Sequence, residues 1–269
     1  MIKVNGKPIQ FPRFNDGSLR LNYGWISAQT TITWLYDGNE EEAMLLYYLT
    51  RHLRDSLHLE HITLNVPYLP EARQDRTKNK NECFTLKYFC EFINSLGFAR
   101  VKVFDPHSYV CEALLNNLEI TSPRALIQDL LDKDKNLLVG ACDEGGMKRY
   151  CRIFNVPFVF GCKLRNWETQ KIESLEIMGA THMVAGRDIL LCDDIISRGS
   201  TTYMMASQLK DMGANKIYAY VSHLEKTVFG AHLNGQSLLE IPNLIEKIYT
   251  TNSLWRDVEH SKVEVIKEF

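Results

Sequence analysis

Residues 189–202, ILLCDDIISRGSTT, run four apolar residues into two adjacent aspartates, two isoleucines and a short turn of small hydroxyl residues. The apolar run reads as a buried strand over Arg187–Cys192, and Thr201–Met212 has helical periodicity closed by Gly213. A strand feeding a helix through a glycine-bearing turn is the repeating unit of a parallel α/β sheet. Asp193 and Asp194 repel one another, so the pair calls for a cation, hydroxyls or a positive helix end nearby. The turn Ser197-Arg198-Gly199-Ser200-Thr201 offers main-chain N–H groups and hydroxyls at such an end, a composition suited to wrapping a phosphate. The two aspartates then take the hydroxyls of the sugar bearing that phosphate, or a divalent cation. The plainer alternative is a capped helix start after an acidic turn.

The alternation continues outward from this stretch. Short strand-like segments (Ile2–Val4, Leu19–Asn22, Thr30–Trp34) are separated by Asn-Gly and Asp-Gly turns. Residues 40–58 have helical periodicity with acidic residues first and basic ones later, as the helix dipole favours. His61–Val66 reads as a buried strand, Thr85–Leu96 as a helix closed by Gly97, and Val101–Phe104 as a strand. Asn136–Ala141, Pro157–Cys162 and Lys216–Ser222 are further strands, and Met147–Phe154 is helical. The predicted strands end in polar clusters: PYLPEARQDR, DPHS, CDEGG, DDIISRGST and SHLEK. Ligands of open α/β sheets bind at the carboxyl ends of the strands, where these clusters fall. A boundary near 120–135, at a Ser-Pro step and a DKDK run, divides the chain into domains 1–128 and 129–269.

Composition sets outer bounds. The 269 residues carry 31 basic and 33 acidic side chains, a near-neutral balance that argues against a nucleic-acid or membrane surface. Seven scattered cysteines without metal spacing read as reduced core thiols. No apolar run has the length of a membrane span and the start, MIKVNGKPIQF, does not read as a signal peptide, so a cytoplasmic protein is expected.

The strand–Asp-Asp–loop–Thr–helix pattern resembles the phosphoribosyl-diphosphate loop of type I phosphoribosyltransferase folds. Further stretches resemble the ribose-phosphate diphosphokinases (phosphoribosyl pyrophosphate synthetases). PYLPEARQDR at 67–76 is similar to that family's adenine-nucleotide segment and FDPHS at 104–108 to its Asp-x-His metal and ATP segment. DEGGMKR at 143–149 is similar to its Asp-x-Gly-Gly-x-x-Arg turn, KLR at 163–165 to its flexible-loop Lys-x-Arg, and RFNDGS at 13–18 to the segment that reaches ATP on a neighbouring subunit. These motifs occur in family order from residue 13 to about 252.

The resemblance implies two phosphoribosyltransferase type I-like domains, each a mainly parallel sheet flanked by helices. The first binds ATP through Phe14, Asp16, Arg73, Gln74, Asp75 and His107; the second binds the ribose phosphate through Asp143, Asp193, Asp194, Ser197, Arg198, Gly199, Ser200 and Thr201. The implied metal is Mg2+, with His107, Asp143 and Asp193 as its candidate ligands. The implied reaction moves the β,γ-diphosphate of Mg-ATP to the anomeric hydroxyl of a ribose 5-phosphate group and releases AMP. Lys163 and Arg165, on a mobile cationic arm, stabilise the transferring group, and His107 assists. A homo-oligomer is implied, with neither nucleic acid nor membrane as partner.

Departures from the family pattern bear on the acceptor. The family's 5-phosphate loop reads Asp-Thr-Gly/Ala-Gly-Thr; here the acid is replaced by Ser197, Arg198 adds a cation and Ser200 replaces a glycine. The acceptor is therefore ribose 5-phosphate or a 5′-extended form such as ADP-ribose, whose product would suit NAD synthesis. Ser18 stands where the family has Glu, which relaxes nucleotide preference, and the short lead before RFNDGS argues against the family's hexamer and its phosphate/ADP control. Two alternatives stay open: a type I phosphoribosyltransferase, and a catalytically silent synthetase-associated subunit.

Overall fold

Strand pairing in the first part of the chain follows its apolar alternation. Ile2–Val4 (β1), Lys7–Pro8 (β2), Gln29–Trp34 (β3), His61–Val66 (β4), Arg100–Phe104 (β5) and Leu118–Thr121 (β6) form one sheet in the order β2-β1-β3-β4-β5-β6. β3 to β6 are parallel, and β1 lies antiparallel to β2 and β3. Helices Glu41–Asp55 (α1) and Thr85–Ser95 (α2) and the single turn Cys111–Leu114 (α3) connect the parallel strands. α1 forms because Leu45, Leu46, Leu49 and Leu53 recur on one buried stripe, with Glu41 and Glu42 in its first turn and His52 and Arg54 in its last. Those leucines pack with Ile32, Trp34, Ile62, Leu64 and Val103 in the unit's core.

The second sheet has seven strands. Leu138–Ala141 (β7), Phe158–Arg165 (β8), Ile172–Gly179 (β9), Ile189–Ile196 (β10), Ile217–Leu224 (β11), Lys247–Thr251 (β12) and Val263–Lys267 (β13) lie in the order β13-β12-β11-β10-β7-β8-β9. Only β9 runs antiparallel to its neighbour. Arg124–Lys133 (α4) precedes β7, Glu144–Gly146 (α5) and a π-turn over Met147–Cys151 follow it, and Ser200–Asp211 (α6) links β10 to β11. From β7 the order runs to β8 on one side and to β10, β11 and β12 on the other. The strand order thus reverses between β7 and β10, the place where open α/β sheets bind ligands.

The computed structural model describes residues 1–21, 26–151, 154, 156–165, 172–233 and 235–269, with the side chains of 163–165 and 172–174 outside that description. Two compact units divide the chain: Met1–Ser122 with Phe269, and Pro123–Glu268. Both are α/β units with mainly parallel sheets flanked by helices, the class expected from the sequence. The 128/129 division read from sequence falls inside α4. None of the described helices is long and apolar enough to cross a membrane.

Several local readings are corrected. β10 does not stop at Cys192 but carries Asp193 and Asp194 within it as far as Ile196, because pairing with β11 continues through Ile195–His223 and Ile196–Leu224. The stretch at Leu19 forms an isolated bridge with Arg13 rather than a strand, and Asn22 lies outside the described residues. The expected helix at 147–154 is a π-turn over Met147–Cys151, and residues 152 and 153 lie outside the described residues. Lys163 and Arg165 close β8, which pairs antiparallel with β9, so their backbone is strand rather than free arm; residues 166–171 lie outside the described set. Among the cysteines, Cys90, Cys111, Cys142, Cys151 and Cys192 are buried, whereas Cys83 is exposed and Cys162 half-buried.

Candidate active site

In the second unit the carboxyl ends of β7 and β10 bring Asp143 and Asp193–Asp194 into electrostatic reach of one another. Asp143 caps α5, its Oδ1 accepting from the Gly146 N–H at 2.9 Å. The glycine lets α5 approach β10 closely: a Cβ on Gly146 would lie 3.3 Å from Ala141 and 3.6 Å from the Cys192 carbonyl. Asp193 keeps part of its surface open yet is densely surrounded by protein. That enclosure raises its carboxyl well above the ordinary carboxylate value, and the charges of Asp194 and Asp143 push it the same way. The Asp194 N–H, donating to Asp193 Oδ1 at 2.9 Å, pulls in the opposite direction.

A cation answers this acidic cluster. Arg149, in the π-turn after α5, places Nη1 3.8 Å from Asp194 Oδ2, and both side chains are nearly buried, at 14% and 12% exposure. A π-turn widens the helix and re-aims its side chains, which is why such turns gather at functional sites. The sequence reading passed over Arg149 although it ends the DEGGMKR motif; an arginine closing a motif that begins with aspartate was the available signal.

β10 hands over to the turn 197–199 and α6. Gly199 takes φ +79° and provides no side-chain cap, so the first N–H groups of α6, at Ser200, Thr201 and Thr202, have no capping side chain over them. Any other residue at 199 meets two obstacles, the left-handed backbone and Leu238, whose Cδ2 lies 2.8 Å from where a Cβ would sit. Ser197 Oγ lies 3.0 Å from Thr227 Oγ1, whose proton goes to Glu225 Oε2 at 2.8 Å. Glu225 lies in the SHLEK cluster at a strand end but was not tied to this turn, and Thr227 was missed, since it reaches Ser197 from 30 residues away in the chain. Arg198 is exposed and Ser200 is exposed beside it, while Thr201 is half-buried.

In the first unit, the 67–84 loop and the end of β5 meet at Asp75. Its carboxylate accepts from Arg76 Nε at 2.6 Å and Nη2 at 2.9 Å and from Ser108 Oγ at 2.6 Å. The Arg76 hydrogen bond is the main reason its pKa falls to about 2, aided by Ser108 and by the charges of Arg76 and His107. Gln74 Oε1 accepts from Thr85 Oγ1 at 3.0 Å, tying the loop to the start of α2. Arg73 and His107 are exposed beside them, and Asp105 is fully buried in a left-handed conformation, φ +43°. Apart from this cluster, Phe14 and Asp16 occupy a tight hairpin closed by Phe14 N–H to Ser18 carbonyl at 2.9 Å. Asp16 Oδ1 accepts from the Ser18 hydroxyl (2.6 Å) and N–H (2.9 Å), and the hydroxyl is the main reason its pKa is lowered. Phe14 is 54% exposed at the tip, with the Arg20 guanidinium 6.0 Å from its ring centre.

No family model matches the chain. Sequence relatives do. A ribose-phosphate pyrophosphokinase of Buchnera aphidicola (subspecies Acyrthosiphon pisum) is 30% identical over 166 residues, 60% of this chain and 53% of that protein. The chain thus spans about half the length of the first curated relatives it matches. A longer match, 26% identical over 266 residues, links 94% of the chain to 78% of the ribose-phosphate pyrophosphokinase of Chlorobaculum tepidum. The fold agrees: the phosphoribosylpyrophosphate synthetase from Mycobacterium smegmatis superposes with a TM-score of 0.77 at 18% identity, over 96% of this chain and 85% of that one.

The chain is similar in sequence to ribose-phosphate pyrophosphokinases and shares the fold of a phosphoribosylpyrophosphate synthetase.

Within the chain the structure gathers the candidates into distinct groups. Asp143, Asp193 and Asp194 interact electrostatically, and the turn 197–201 continues directly from the strand bearing two of them. Asp75 and His107 interact in the first unit, with Arg73 and Gln74 preceding Asp75 on the same loop. Phe14 and Asp16 share the hairpin tip. Lys163 and Arg165 are two positions apart near the end of β8, with their side chains outside the described set. His223, a weaker candidate kept out of the catalytic set, is fully buried with Nδ1 2.8 Å from Ser253 Oγ.

Proposed function

We propose that the chain transfers the β,γ-diphosphate of ATP to the anomeric hydroxyl of a ribose 5-phosphate group, with release of AMP. The observation that carries this reading is the run of β10 through Asp193–Asp194 into the Gly199 turn and the N-terminus of α6. N–H groups and hydroxyls of 198–201 hold the 5-phosphate, and Asp193 and Asp194 orient the ribose hydroxyls. The anomeric oxygen attacks the β-phosphorus, the bond from that phosphorus to the α-phosphate oxygen breaks, AMP leaves with the electron pair, and the hydroxyl proton passes to solvent. Arg73, Gln74, Asp75 and His107 bind the nucleotide in the first unit, and Lys163 and Arg165 neutralise charge on the transferring group. The hairpin bearing Phe14 and Asp16 serves ATP on a second copy of the chain, in a homo-oligomer.

The charges of Asp194 and Asp143 act on Asp193, a repulsion that a divalent cation would relieve, while no group of three or more His, Cys, Asp or Glu is placed to hold a metal ion among the described residues. Magnesium is commonly held by one or two carboxylates with phosphates completing its shell. Asp143 and Asp193 are the residues of the second unit that would hold it, and His107 is a separate candidate ligand in the first. Bound there, it supplies charge neutralisation of the triphosphate.

The exposed Arg198 favours a 5′-extended acceptor such as ADP-ribose, whose second phosphate needs a further cation, and the diphosphorylated product would suit NAD synthesis. Incubation with Mg-ATP and either acceptor, followed by mass measurement of the products, tests both levels. AMP with a diphosphorylated sugar is expected. No AMP with either acceptor overturns the reaction, and AMP with ribose 5-phosphate alone overturns the extended acceptor.

A further inference from the structure

We infer that Thr227 and Glu225 are positioning residues that clamp the anion-binding turn through Ser197, directing that serine's proton to Thr227 and away from any bound phosphate. The inference rests on the sugar-phosphate reading of the turn proposed above.

A threonine hydroxyl has one proton to give, and that of Thr227 is directed at Glu225 Oε2, 2.8 Å away. Ser197 Oγ lies 3.0 Å from the same Thr227 oxygen. With the Thr227 proton committed to a carboxylate, Ser197 is the donor in that contact. What Ser197 then offers a ligand is a lone pair, which a phosphate oxygen has no reason to approach. Phosphate recognition falls instead to the N–H groups of the α6 N-terminus and to the hydroxyls of Ser200 and Thr201. The serine that replaces the family's acid thus acts as a tether.

The same short segment holds the turn by its backbone as well. The Glu225 N–H donates to the Ile196 carbonyl at 2.9 Å, carrying the β10–β11 pairing up to the residue before Ser197. Gly199 rests on Leu238 so closely that a Cβ would collide with it. Residues 196, 197 and 199 are therefore fixed in succession by groups drawn from 225–238. A turn held in place before the ligand arrives loses less conformational freedom on binding, and the gain appears as affinity rather than as a faster chemical step.

Direct calorimetric titration with ribose 5-phosphate and with ADP-ribose, beside steady-state AMP formation, tests the clamp. Thr227→Val removes the acceptor for Ser197 and the donor for Glu225; it is expected to weaken acceptor binding about tenfold and raise KM to match, with kcat within about twofold. Thr227→Ser, which keeps the hydroxyl, restores wild-type affinity. Ser197→Ala weakens binding by a similar factor, and the double variant Ser197→Ala/Thr227→Val is no weaker than either single one. Unchanged affinity in Thr227→Val overturns the clamp, as does a double variant whose losses multiply, because Ser197 then touches the ligand independently. Wild-type protein that binds neither acceptor removes the sugar-phosphate reading and this inference with it. Binding without AMP formation removes only the reaction, and the affinity comparisons still decide the clamp.

Discussion

Replacing Arg149 by methionine keeps the length of the side chain and removes its charge. At 3.8 Å, with an effective dielectric near that of a protein boundary, the Arg149–Asp194 attraction is about 4 kcal/mol. Both side chains retain slight solvent exposure, so part of that is screened, and breaking the pair is expected to cost about 3 kcal/mol. For a unit of this size about 3 kcal/mol lowers Tm by about 9 °C. The sign with pH follows from Asp193, whose folded pKa is raised. Between the ordinary value and the raised one the folded state holds more protons than the unfolded state, so stability falls as pH rises through that window. Loss of Arg149 adds to the same repulsion. The deficit of Arg149→Met should therefore be larger above the raised value than below it, shrinking as Asp193 takes up its proton. Arg149→Met/Asp194→Asn, which removes both charges, should recover more than half of it. Scanning calorimetry of the three proteins from pH 5 to pH 8 decides the matter. A deficit under about 1 kcal/mol, or one that grows as pH falls, refutes the account of Arg149 as the counter-charge of the acidic cluster.

Further outcomes follow from other contacts. Ser108→Ala removes a 2.6 Å donor from Asp75, whose folded pKa lies near 2; its stabilisation is present above the unfolded value and lost as pH falls toward 2. The variant should thus melt lower than wild type above pH 5, by about 1 kcal/mol, and converge with it near pH 2; a gap that persists in acid contradicts this. Gly199→Ala must distort a left-handed turn against Leu238, and should raise the acceptor KM at least about tenfold; an unchanged KM means the turn holds no ligand. Arg198→Ser should reduce turnover of ADP-ribose about tenfold more than that of ribose 5-phosphate, and equal effects on both would remove Arg198 from acceptor choice. Lys163→Ala should abolish AMP formation while nucleotide binding, followed by titration, stays within about twofold.

Periodicity made much of the scaffold readable. His61–Val66 emerges as expected, and α1 and α2 end within a few residues of their predicted limits, because amphipathic spacing and glycine stops act locally. Asp193 and Asp194 were misplaced as a strand terminus because polar residues look like an ending, whereas the ladder to β11 carries β10 two turns of the pleat further. β12 and β13, five residues each, were passed over because such short segments owe their strand form largely to neighbours on the sheet, and β9 was missed although Leu175, Glu176, Ile177 and Met178 alternate in burial. The motifs disclosed which residue types surround the ligand. The pairing of Arg149 with Asp194 and of Thr227 with Ser197 needed the fold, since each joins residues 45 or 30 positions apart in sequence.

The buried thiols give the chain an internal record of its own opening. Cys90 lies in the first unit and Cys151 in the second, each pushed up to about 12 by burial, so neither presents a nucleophilic thiolate while its unit stays closed. Cys83, exposed on a loop, reacts with an alkylating reagent from the outset and marks zero time. Each later mass increment at Cys90 or Cys151, told apart by peptide mapping from the half-buried Cys162, then timestamps the breathing of one half or the other without a label being introduced.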